Sequence, residues 1–212
     1  MYLSRVKLDE ARRSTMIALS NPELLHGAIS QSFSGERPFV LWRLDRLSTG
    51  LYLLVLSEEQ SALDQVVKEY GIGDAVETKS YDQILEKISE GSLYRFRLKA
   101  NPTYSMPRKD EESGKLKRGR ICAHSTIPHQ RQWLTEQGQK HGFSVTEDSF
   151  DVTETRWYKF TKGKSNKLSI LSVTFEGVLN VTDADAFREA MTKGIGRGKA
   201  YGMGLLTIMK AE

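Results

Sequence analysis

The 212-residue chain has a single cysteine, Cys122. One thiol excludes an intrachain disulfide and any metal site built from several cysteines, and it fits a reducing cytoplasm, where the chain is expected to reside. Cys122 itself reads as a partly buried small residue. Histidine is scarce as well. The four present, His26, His124, His129 and His141, include no pair at His-Glu-x-x-His or comparable spacing, so no metal or other cofactor is expected. No apolar run approaches the roughly 20 residues of a membrane span, and Met1 to Lys7 holds no apolar signal core, so no membrane partner is expected either.

What remains is ordinary globular composition. Hydrophobic residues make up 39% and charged residues 27%, which disfavours wholesale disorder and fibrous classes. The length suits one large domain or two of about 100 residues each. A net charge of +4 permits a polyanionic partner without demanding one.

The element order narrows this. Tyr2 to Leu8 alternates with period two, as a strand with one buried face does. Ser20-Asn21-Pro22-Glu23 supplies capping residues, a proline for the first turn and an acidic group at the positive end of a helix dipole. The helix that starts there carries Leu24, Leu25, Ala28 and Ile29 at helical spacing and leaves His26 and Ser30 on a more polar face, four residues apart. Phe39–Leu44 and Leu51–Leu56 read as strands joined by a turn, a short helix is expected around Ser61–Tyr70, and Leu93 to Ala100 reads as the strand that closes the first half, stopping before Pro102. Residues 108–122 are polar and basic, with Lys109, Lys115, Lys117, Arg118 and Arg120 around Ser113-Gly114, and read as an exposed linker or hairpin. Beyond it come a helix over Gln130–Lys140, extended segments, a long strand over Ser169–Leu179, an amphipathic helix over Asp183–Lys193 and a last strand over Leu205–Met209. The expected fold is α+β, two tandem ferredoxin-like (βαββαβ, RRM-type) domains, 1–107 and 123–212, joined by the basic segment.

Three features carry chemistry. The stretch from Gly194 to Gly204 sets Arg197, Lys199 and one aromatic residue among five glycines. Glycine lets exposed N–H groups face phosphate oxygens, so such a loop can hold a nucleic-acid backbone; a connector without a ligand is the plain alternative. It lacks the Gly-Lys-Ser/Thr ending of a nucleotide-binding loop. The second feature is a hairpin with Arg156, Lys159, Lys162, Lys164 and Lys167 around Gly163, suited to phosphates on the walls of a groove, or simply a solvated turn. The third is His26, by its surroundings a structural helix residue, by its near-neutral pKa a candidate for proton transfer.

Taken together, Met1-Tyr2-Leu3-Ser4-Arg5-Val6, Tyr94 through Pro102, Phe175-Glu176-Gly177-Val178-Leu179 and Gly194-Ile195-Gly196 through Lys199, Gly202 and Gly204-Leu205-Leu206 resemble the CasE family of CRISPR RNA-processing endoribonucleases, of the RAMP superfamily. The resemblance spans the chain in order. It implies a metal-independent cut of a CRISPR repeat RNA stem-loop, by 2′-hydroxyl attack to a 2′,3′-cyclic phosphate, and continued residence on the guide beside other Cascade subunits. It assigns catalysis to His26 and RNA contact to the hairpin and the glycine loop, with Lys115, Lys117 and Arg118 as further RNA-binding candidates. Some members place a catalytic tyrosine one turn before the histidine, where this chain has Pro22 and Glu23. Ser30 or Tyr2 is the expected stand-in. The competing readings are a catalytically silent RNA-binding subunit of the same complex and a small-molecule-binding ferredoxin-like protein.

Overall fold

The computed structural model describes residues 1–34, 39–109, 116–163 and 165–211. Its first sheet holds β1 (Tyr2–Leu8), β2 (Val40–Leu47), β3 (Gly50–Ser57) and β4 (Gly71–Ser80) in the order β2-β3-β1-β4, the ferredoxin-like arrangement. Three helices lie on this unit: α1 (Arg13–Ala18), α2 (Pro22–Gln31) and α3 (Asp64–Tyr70). α2 begins where the capping residues predicted. The Asn21 side chain accepts from the Glu23 N–H at 3.2 Å, Pro22 takes the first turn, and Leu25, Ala28 and Ile29 are buried. They join Val6, Leu8, Trp42, Leu53, Val55, Val66 and Tyr70 in one apolar cluster.

After a single helical turn, α4 (Asp82–Leu85), the chain enters the second unit at β5 (Leu93–Ala100). This corrects the sequence reading, which used Leu93–Ala100 to close the first sheet. β5 pairs instead with β10 (Asn166–Val181) and β11 (Leu206–Lys210), in the order β11-β5-β10-β8, where β8 is Phe143–Ser144 and β9 (Phe150–Lys162) runs alongside β10. The closing strand of the first sheet is β4, whose polar, glycine-containing sequence gave no strand signal. Sheet membership therefore changes between Ser80 and Leu93, not at residue 107. The segment expected as a basic linker is an antiparallel hairpin of β6 (Thr103–Lys109) and β7 (Leu116–Ala123) that leaves the second unit directly after β5. α5 (Ile127–Lys140) and α6 (Ala184–Lys193) cover the second sheet, and the Asp183 side chain caps α6 through the Asp185 and Ala186 N–H groups. No helix of the described residues is long and apolar enough to cross a membrane.

The two units share an apolar seam. Leu41 and Leu56 of the first sheet belong to the same buried cluster as Phe96, Leu98, Phe175, Phe187 and Leu205 of the second. Beside it lies a buried guanidinium. Arg43 is 2% exposed, and all five of its donors are used: Nε and Nη2 to Asp45 at 2.7 Å each, Nη1 to the Arg97 and Leu205 carbonyls at 2.7 and 3.0 Å, and Nη2 to Thr207 Oγ1 at 2.8 Å. Three of these bonds cross from the first unit to the second. Arg97 in turn reaches Asp45 at 3.6 Å and Glu176 at 3.1 Å.

Removing one partner of such a pair strands the other charge in low dielectric, which costs about 3–5 kcal/mol. Arg43→Ala should lower unfolding stability in urea by that amount. Exposed Arg46→Ala, whose partner Glu10 is solvent-facing, should leave the urea midpoint nearly unchanged.

Candidate nuclease site

His26 sits half-buried on α2, with Pro22 one turn before it and Ser30 one turn after. Two pieces of the second unit meet this helix. One is the short 3₁₀ turn Lys199–Tyr201 inside the glycine-rich loop, which packs against α2 and β2. The other is the long β9–β10 hairpin. Its Tyr158 and Phe160 form a small buried cluster with Met203, joined by Leu168, Ile170 and Tyr201. Pro22, Leu25, Trp42, Tyr158 and Tyr201 line a common crevice at this junction.

The hairpin's cations divide between its two faces because side chains alternate along a strand. On the face that carries Tyr158 and Phe160, the Arg156 guanidinium lies 4.9 Å from the Tyr158 ring centre and the Lys162 ammonium 5.9 Å from that of Tyr201. Lys159 and Thr161 point the other way, paired in register with Ser169 and Lys167, and all four are exposed. Arg156 and Lys162 thus share the face that carries Tyr158 and Phe160, Lys159 and Lys167 lie on the opposite one, and these four cations are all exposed. Lys164 and Lys115 lie outside the described residues, as do the side chains of Lys117 and Arg118.

Lys162 is close enough to His26 for its charge to matter. Burial first, and the Lys162 cation second, hold the His26 imidazole below its ordinary pKa, against the weaker opposing pull of Glu23. The histidine is therefore neutral at pH 7 and able to accept a proton.

The glycine loop is held in part by its own backbone hydrogen bonds. Five of its N–H groups are bonded within the protein: Gly194 to the Ala190 carbonyl, Ile195 to Gly204, Tyr201 to Gly198, Gly202 to Lys199, and Gly204 to Lys99. They are not free to face phosphate. Two of its glycines serve close packing at positive φ. A Cβ on Gly202 (φ +78°) would stand 2.6 Å from the Trp42 ring, and one on Gly194 (φ +73°) 2.8 Å from Leu41. Within the loop Arg197 is exposed and bridges to Asn101 through its backbone. Lys199 is half-buried, and its charge bears on His141.

The two candidates for the missing tyrosine are placed differently. Ser30 stays on the His26 face of α2. Tyr2 lies on β1 opposite Ser57 and Ser80, and β3 separates β1 from the β2 strand on which the glycine loop packs, a span of about 10 Å across two strand spacings. Among the described residues no hydrogen bond links Tyr2 to the His26 region. The sequence reading missed Arg43, whose single sequence signal is a cation within an apolar strand run, and Tyr201, which stood in plain view between Lys199 and Gly202. Among the described residues, no three His, Cys, Asp or Glu side chains converge as metal ligands would.

Residues 1–210 match the family model described as CRISPR associated protein. The chain is 31% identical over 217 residues to the CRISPR system Cascade subunit CasE of Escherichia coli (strain K12), an alignment that covers 98% of each. It is 27% identical over 223 residues to the CRISPR-associated endoribonuclease Cse3 of Thermus thermophilus, covering 98% of this chain and 99% of that one. The fold superposes on a structure of Cse3 bound to 19 nt RNA with a TM-score of 0.77 at 25% identity, over 99% of this chain and all of the other. With a half-buried histidine, a cationic hairpin and a match along its length, the chain belongs to the CRISPR-associated protein family that includes Cse3 and CasE.

Proposed function

We propose that the protein is a CRISPR repeat endoribonuclease that cuts the precursor transcript beside a repeat stem-loop, without a metal, and stays on the product as a Cascade subunit. The observation that carries this reading is a half-buried His26 on α2, where the Lys199–Tyr201 turn and the β9–β10 hairpin of the second unit come against that helix and the Lys162 charge bears on the imidazole. A neutral imidazole within reach of an ammonium's charge supplies the two things that attack by a 2′-hydroxyl on its neighbouring phosphate needs: a proton acceptor, and positive charge where the phosphorane gains negative charge. His26 takes the 2′-hydroxyl proton, the bond from phosphorus to the 5′-oxygen breaks, and the products carry a 2′,3′-cyclic phosphate and a 5′-hydroxyl. The relative Cse3, named an endoribonuclease and seen with RNA, supports RNA as the substrate. The relative named a Cascade subunit supports the assembly.

The reading also assigns the outward cations. Lys159 and Lys167 are placed for phosphates of an RNA stem, whose A-form grooves are recognised by shape and backbone more than by base edges. Lys162 is reserved for the cut.

Purified protein should cleave its repeat RNA in EDTA, leave a substrate with 2′-deoxy at the cut site intact, and produce a cyclic phosphate end. His26→Ala should slow single-turnover cleavage by about 10² to 10⁴ while still binding the RNA. Binding with no cleavage by the wild type would make the protein a scaffold.

A base must be neutral to act, so the rate should fall as pH drops through the His26 pKa, with its midpoint below the ordinary 6.5. Lys162→Ala removes a charge that lowers that pKa and should move the midpoint upward; an unmoved midpoint would separate Lys162 from His26.

Phosphate contacts release counterions. Replacing Lys159 and Lys167 together by alanine should therefore weaken binding and flatten the plot of log affinity against log salt by about two. Unchanged slopes would show that this hairpin face does not meet the backbone.

A further inference from the structure

His26 accounts for one of the two proton transfers that strand cleavage requires. The departing 5′-oxygen must gain a proton, and the structure brings a phenol against the helix that carries the histidine. Tyr201 enters from the glycine loop against α2, where it lines a crevice with Pro22 and Leu25. Pro22 and His26 are four residues apart and so share a helix face. From the other side Lys162, the same cation whose charge His26 feels, lies 5.9 Å from the centre of the Tyr201 ring. Three elements distant in sequence thus bring an imidazole, an ammonium and a phenol to one place.

The Tyr201 ring is held while its hydroxyl is left free. Phe160 packs edge-on at 5.1 Å, and the neighbouring Gly202 and Met203 are buried, so the loop cannot swing the ring away cheaply. The side chain is half-buried, and among the described residues its hydroxyl has no hydrogen-bond partner. Tyr158, the other phenol in the crevice, is 7% exposed and lies below the surface that RNA can reach. Ser30 is an alcohol, no stronger an acid than the sugar hydroxyl that leaves.

We propose that the Tyr201 hydroxyl is the general acid of the cut, giving its proton to the departing 5′-oxygen as His26 takes the proton of the 2′-hydroxyl. This rests on the nuclease reading above. The 2′-oxygen bonds to phosphorus, the bond from phosphorus to the 5′-oxygen breaks with its electron pair on oxygen, and that oxygen takes the phenol proton. What remains is an imidazolium and a phenolate, the latter faced by Lys162. Exchange with solvent returns a proton to the phenolate and removes one from the imidazolium, so the step balances without a co-reactant. A phenol suits the task because it keeps its proton through neutral pH while being far more acidic than an alcohol.

The test uses the full protein with two versions of its repeat RNA, one natural and one in which sulfur replaces the bridging 5′-oxygen at the cut. A thiolate leaves without a proton, so a missing acid matters only for the oxygen substrate. Tyr201→Phe keeps the ring against Phe160 and under Lys162. It should cleave the natural RNA about 10²-fold more slowly than wild type and the sulfur-containing RNA at the wild-type rate, while affinity for uncleavable 2′-deoxy RNA stays unchanged. Equal rates for variant and wild type on the natural RNA would overturn the proposal, and so would an equal loss on both substrates, which would mark a structural or positioning effect. A wild-type protein that cuts neither RNA would instead remove the nuclease reading, a result separate from either of these.

Discussion

A single buried guanidinium decides how the two halves of this molecule meet. Arg43 stands in a strand of the first sheet, yet three of its five hydrogen bonds end on the second unit, at the Arg97 and Leu205 carbonyls and the Thr207 hydroxyl. A buried charge tolerates no loose fit, since each unsatisfied donor would carry its full desolvation cost. The second unit must therefore dock in one position. Leu205 follows directly on the glycine loop, and Leu41 and Trp42, just before Arg43, are the residues on which Gly194 and Gly202 close. Fixing Arg43 fixes the loop, and the loop is one wall of the His26 site.

Burial and charge at His26 follow from that docking. The helix that carries the histidine belongs entirely to the first unit. The second unit adds the Lys199–Tyr201 turn against α2 and, at the end of β9, the Lys162 charge that joins burial in lowering the imidazole pKa. The chemistry is thus a property of the interface between two ferredoxin-like units. Neither unit holds the imidazole and the cation together.

Much of this was legible in the sequence, and what was not has physical reasons. α2 was readable from Asn21-Pro22-Glu23 because capping is local, and the long β10 strand from its alternation. β4 was missed because Gly71 to Ser80 is a polar strand at a sheet edge, where no apolar alternation is required. The placement of β5 was wrong because strand partners are set by long-range pairing, and a strand alternating with period two fits either sheet equally well. The glycine loop was read as a phosphate cradle from composition. Composition did not show that Gly194 and Gly202 are needed where Leu41 and Trp42 approach, contacts made with residues some 150 positions earlier in the chain. His26 could be singled out from its helix. Lys162 could not, because one cation in a run of five carries no mark of which will have its charge felt at His26.

The claim that interface docking sets the state of His26 is tested most directly by its imidazole titration, followed by NMR in the free protein. The account predicts a His26 pKa below the ordinary 6.5 in the wild type, returning toward that value in a variant whose docking is loosened at Arg43, with α2 still folded. A His26 that titrates at or above 6.5 in the intact protein, or one indifferent to the loss of Arg43, would contradict it.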